Sequence, residues 1–145
     1  MDSTASPPLP AGLLDCEGTL VQALRASIPR LMAVYAFGSR ISGDAGPDSD
    51  LDLAVLVEGY ADPLVLWELS GTLADLAGCP VDLLDLRAAS TVMQHRILTT
   101  GLRLWARDVQ AGLFESFVLS EKTALDTARA GLLADIAKDG RIHGG

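Results

Sequence analysis

Little in this chain marks it for the cell exterior, for nucleic acid or for a membrane. Its 145 residues include two cysteines, Cys16 and Cys79, with neither CxxC spacing nor a neighbouring histidine. That argues for free thiols rather than a disulfide framework or a zinc site. Only two of the 11 basic residues are lysines, and the arginines are scattered singly in a chain whose net charge is −8. A protein that neutralises phosphate backbones needs clustered bases, so direct nucleic-acid binding is not expected. No apolar run approaches the roughly 20 residues of a membrane span. The opening MDSTASPPLPAG puts an acid where a secretory leader carries Lys or Arg. The expected location is the cytoplasm. Aromatic residues make up 5% of the chain, so Leu, Val and Ala must fill the core of what is, at 49% hydrophobic and 21% charged, a folded composition.

The organisation follows from punctuation and period. Pro7, Pro8 and Pro10 make residues 1–11 a flexible arm, and residues 12–140 read as one domain, with 141–145 a frayed tail. Leu13, Leu20, Val21, Leu24 and Ile28 recur at helical spacing up to Pro29. MAVYAF (32–37) is a buried strand stopped by Gly38, and LDLAVLV (51–57) is a second. Asp62-Pro63 opens a helix that runs to Gly78. PVDLLDL (80–86) is a third strand, Ser90 caps a helix ending at Gly101, and LRLWA (102–106) is a short strand or edge. A long amphipathic helix covers about 109–138. The fold class is therefore α/β: a small mixed sheet of three or four strands flanked by helices.

The chemistry concentrates in AFGSRISGDAGPDSDLDLAV, residues 36–55. Alternation along a strand sends Asp50 and Asp52 to one face while Leu51, Leu53, Val55 and Val57 take the other. Two carboxylates about 7 Å apart along one strand face repel, and a divalent cation relieves that repulsion. Mg²⁺ suits such a pair because it favours a few carboxylates plus substrate phosphate oxygens. The phosphates need donors of their own. Gly38 and Ser39, where the first strand ends, supply close backbone approach, amides and a hydroxyl, and Arg40 adds charge. A third carboxylate would complete a two-ion site and take the proton of an attacking hydroxyl. The third strand offers Asp82 and Asp85 on opposite faces; Asp82, at the start of the strand, is preferred, and Asp85 fits better as a cap on the next turn.

Gly38-Ser39, ten residues, then Asp50-Leu51-Asp52 resembles the GS-x10-DxD signature of the DNA polymerase β-like nucleotidyltransferases, and within them the minimal nucleotidyltransferase antitoxins. PVDLLDL, HRILTTGLRLWARD and FESFVLSEK follow the family in order and spacing, so the likeness spans roughly residues 13–140. The resemblance implies a polymerase β-like nucleotidyltransferase fold that binds ATP and two Mg²⁺ ions. Asp50, Asp52 and Asp82 would be the catalytic and metal-holding residues, with Gly38, Ser39 and Arg40 on the phosphates. It also implies a partner, a HEPN-type ribonuclease toxin, and transfer of AMP to a toxin tyrosine. An antitoxin that acts by occupancy alone, or a transferase for a small alcohol, are the alternatives. Asp44 and Asp48 read as turn formers, His95 and His143 as surface and tail residues, and Trp67 and Trp105 as core or interface anchors.

Overall fold

The computed structural model describes residues 12–15, 18–42 and 50–121. The expected arm, the tail, Cys16, most of the loop carrying Asp44 and Asp48, and the long helix beyond residue 121 lie outside them. The described elements are α1 (Thr19–Ser27), β1 (Leu31–Phe37), α2 (Ser39–Ser42), β2 (Leu51–Val57), α3 (Pro63–Ala77), β3 (Val81–Asp85), α4 (Thr91–Thr100) and β4 (Leu102–Ala106). Residues 110–121 form a further helix, α5.

The four strands make one sheet in the order β3-β2-β1-β4. β1 runs antiparallel to β2 and to β4, whereas β2 and β3 are parallel. A parallel neighbour cannot be reached by a tight turn, and α3 supplies the crossover. Its ends are written in the sequence. The Asp62 side chain accepts from the Leu64 N–H at 2.9 Å, Pro63 occupies the first turn, and Gly78 closes the helix in the left-handed region at φ 76°. Ser90 caps α4 by accepting from the Met93 N–H at 3.1 Å. Gly101 ends α4 for a different reason from the one expected. Its backbone is extended, and a Cβ there would lie 2.6 Å from the Ala36 carbonyl oxygen, so glycine lets β4 start hard against the end of β1.

One expected element is shortened. The helical spacing from Leu13 predicts a single helix to Ile28, but residues 12–15 form a turn and α1 begins only at Thr19. Gly18 precedes it, and a Cβ there would run into the carbonyl oxygens of Gly12 and Leu13, a packing that leaves no room for a side chain. Leu13 still reaches the core.

Both faces of the sheet are covered. On one, Leu51, Leu53, Val55 and Val57 of β2 join Val34 and Ala36 of β1 beneath α1 (Leu20, Val21, Leu24) and α3 (Leu66, Leu69, Leu73, Ala77). On the other, Ala54 and Leu56 join Tyr35 and Phe37 beneath Ile97 of α4 and Ala111 of α5. The buried Tyr35 hydroxyl donates to Glu115 Oε2 at 2.7 Å, and Arg103 of β4 donates to the same oxygen at 3.0 Å. Burial and that carboxylate acceptor push the phenol far above its usual range, so Tyr35 is a fixed neutral donor tying β1 to α5.

Candidate active site

The turn after β1 is built on Gly38, whose φ of 85° favours glycine. A Cβ at this position would run into the carboxylate of Asp52, the residue that follows Leu51 at the start of β2. The Gly38 backbone is thus seated against an acid, as the pairing of Phe37 with Asp52 across the β1–β2 ladder requires. The parallel register then pairs Asp52 with Asp82 on β3. Partners in register on neighbouring strands point to the same face, so the two carboxylates stand side by side, with Asp50 exposed just before β2.

The electrostatics follow from that crowding. Partial burial, then the charge of Asp82, then that of Asp50 raise the Asp52 carboxyl above the ordinary carboxylate range. None of the ion pairs among the described residues involves the three acids. Nor do any three His, Cys, Asp or Glu side chains among the described residues converge closely enough to hold a metal ion unaided. An uncompensated, loosely grouped set of hard oxygen donors fits a cation that completes its shell with water and substrate phosphates, which is the coordination habit of Mg²⁺.

Asp52 and Asp82 open on a cleft of about 610 Å³. Its sheet wall is Phe37, Asp52, Asp82 and Leu84; Gly38 and Ser39 form one end, and Met93, Arg96 and Thr100 of α4 form the facing wall. That size suits a nucleotide. A second hollow of similar volume, between α4 and α5, is lined by Met32, Arg87, Phe114 and Phe117 among others and by no acidic side chain, so it lacks the means to hold a metal.

Each of the candidate site residues lies among the described residues. Gly38, Ser39, Asp52 and Asp82 share the cleft, whereas Asp50, exposed two positions before Asp52, is not among the lining residues. Arg40 follows Ser39 on α2 and is not among the lining residues. Asp85 is occupied elsewhere: it accepts from the Ala61 N–H at 2.8 Å and the Arg87 N–H at 3.0 Å, pinning the turn after β3 to the segment that leads into α3. Met93, Arg96 and Thr100 are not singled out by the sequence. Their spacing of three and four puts them on one face of α4, a pattern visible in the sequence, but nothing local says what that face meets.

A short glycine turn at the end of one strand, acids at the starts of the next two and a nucleotide-sized cleft between them define a nucleotidyltransferase of the polymerase β type. The chain belongs to that family: residues 20–110 match the family described as polymerase beta, nucleotidyltransferase. It is 36% identical over 120 residues to the protein adenylyltransferase MntA of Shewanella oneidensis, a match covering 83% of this chain and 86% of that protein. Among solved structures it is similar to a chain of a toxin-antitoxin crystal structure with AMP-PNP, at TM-score 0.70 and 36% identity, over 81% of this chain and 95% of that one. A complex of tri-AMPylated S. oneidensis HEPN toxin with its MNT antitoxin matches at TM-score 0.64 and 34% identity, over 81% and 92%.

Proposed function

We propose that this chain is an antitoxin that transfers AMP from ATP to a tyrosine hydroxyl of a HEPN-type ribonuclease toxin in the cytoplasm. The observation that carries the transfer chemistry is the single cleft in which the Gly38 turn abuts Asp52 and Asp82 stands beside it in register. The choice of a protein acceptor follows the adenylyltransferase and the AMPylated toxin complex to which the chain is similar.

In this reading Gly38 and Ser39 hold the phosphates through backbone amides and the Ser39 hydroxyl, with Arg40 contributing charge from α2. Asp50, Asp52 and Asp82 would hold Mg²⁺, as two ions. When bound, Mg²⁺ neutralises charge on the triphosphate and on the attacking oxygen. Asp82, the more exposed of the pair it forms with Asp52, would take the hydroxyl proton. The tyrosine oxygen forms a bond to the α-phosphorus, the bond from that phosphorus to the bridging oxygen of the β-phosphate breaks, and pyrophosphate leaves. Little covalent work falls to the protein; catalysis is positioning and charge compensation.

The test is incubation of the chain with α-labelled ATP, Mg²⁺ and the cognate toxin. Label is expected on the toxin with wild type and not with Asp52→Asn. A toxin that is neutralised yet carries no label would overturn the transfer reading and leave occupancy as the mode of inhibition.

A further inference from the structure

The arginines of the described residues are almost all spoken for. Arg103 pairs with Glu115, Arg107 with Glu58 and Asp108, Arg30 donates to the Glu58 carbonyl, Arg87 donates to the Val57 carbonyl, and Arg25 stacks over Trp105. Arg96 differs. Its guanidinium makes no hydrogen bond or ion pair with another of the described residues, although it lines the cleft that also carries Asp52 and Asp82.

Local structure explains how it is held there. Ile97, next in sequence, is fully buried against the sheet and sets the rotation of α4. Arg96 is thereby turned to the cleft between Met93 and Thr100. Met93 brings no polar atom that binds an anion well, and the Thr100 hydroxyl already donates to the Arg96 carbonyl at 2.6 Å. Arg96 is therefore the one lining side chain, among the described residues, that offers both a positive charge and free donors on this wall. A cation that faces acids across a cleft without closing on them suits a polyanion lying between the two walls. The guanidinium fork matches phosphate oxygens in pairs.

We infer that Arg96 holds the β- and γ-phosphates of the nucleotide donor, the part that departs as pyrophosphate. This rests on the nucleotidyl-transfer reading above. With the α-phosphate by Asp50 and Asp52, where the bond changes occur, the terminal phosphates lie between the Gly38-Ser39 turn and α4, and Arg96 adds its charge to the donors of that turn. Negative charge that builds on the departing pyrophosphate then meets a guanidinium already in position.

The experiment is equilibrium binding of ATP, pyrophosphate and AMP to the full chain in Mg²⁺ buffer, by competition against a fluorescent ATP analogue. Wild type, Arg96→Ala and Arg96→Lys are compared. Arg96 is exposed, so the variants should melt with wild type. Arg96→Ala is expected to lose roughly 10- to 100-fold in affinity for pyrophosphate and ATP, from the typical worth of charge-assisted bonds. AMP affinity should change less than about twofold, since AMP has no terminal phosphates. Lysine should restore part of the loss, as a point charge without the fork. In the labelling assay the KM for ATP should rise with the same ranking. Unchanged pyrophosphate affinity in Arg96→Ala, or an equal loss for AMP, would overturn the assignment while wild type still labels its toxin. If wild type itself binds no ATP, the transfer reading fails, and this one with it.

Discussion

β2 presents two different proteins on its two faces. Toward α1 and α3 it offers Leu51, Leu53, Val55 and Val57, none more than 1% exposed. Toward α4 it offers Asp52, Ala54 and Leu56, so the row that begins as acid ends as core. The strand's twofold alternation thus separates holding the fold together from doing chemistry within a span of seven residues. Substitutions on the first face should cost stability, and those at the head of the second should cost activity with the fold intact.

The sharpest check of that division is Asp52→Asn. AMP transfer should fall about a thousandfold or more, as expected when a charge-positioning group is removed from the reacting centre, while urea denaturation shows no loss of stability. The mirror experiment is Leu73→Ala. Leu73 is fully buried beneath the other face, and truncation should cost about 2–5 kcal/mol by leaving a cavity. At low temperature, where the variant remains folded, its ATP affinity should match wild type.

Two glycines draw the same line more finely. Gly38 and Gly78 both have positive φ, 85° and 76°, so alanine is strained at either. Only at Gly38 would the added methyl strike the Asp52 carboxylate; around Gly78 there is open space. Gly78→Ala should cost about 1 kcal/mol and leave nucleotide binding untouched. Gly38→Ala should cost about 1–3 kcal/mol and weaken ATP binding as well. Equal effects on ATP affinity would show that the close seating of Gly38 on Asp52 is incidental.

The smallest effect concerns acid. Asp52 is raised in the fold, so the folded state holds that proton more tightly than the unfolded chain does. Without metal, stability should therefore decline as pH rises from the ordinary carboxyl range through the raised value of Asp52, and stay at the lower level above it. Thermal melts in EDTA should show a fall on the order of a degree or two that Asp52→Asn removes, and Mg²⁺ with ATP should restore wild type at neutral pH. A wild-type curve parallel to that of the variant would mean that neither burial nor the neighbouring acids raise Asp52.

Much of this was legible in the residues. β1 and β2 are continuous apolar runs, and α3 announces both ends through Asp62-Pro63 and Gly78. The GS-x10-DxD spacing pointed to the two halves of the cleft. The break before α1 was not legible, because the contacts that demand glycine at position 18 come from a turn that helical periodicity does not register. Nor was the choice between Asp82 and Asp85 decidable from alternation alone. It is the parallel register that puts Asp82 next to Asp52 and turns Asp85 to Ala61 and Arg87. Arg96 was invisible for a related reason: a helical face can be read from spacing, but what lies across from it is a matter of strand order.

That order also sets a sequence of assembly. Gly38 and Asp52 meet across a hairpin, a local contact that a growing chain can make early. Asp82 reaches Asp52 only after the whole of α3 has been made and folded back, and Arg96 arrives later still. A nascent chain therefore possesses the Gly38 turn well before it possesses all three acids. The three acids are together only once β3 docks beside β2, before β4 closes the other edge of the sheet, and the crossover helix that brings β3 there lies on the opposite face from those acids.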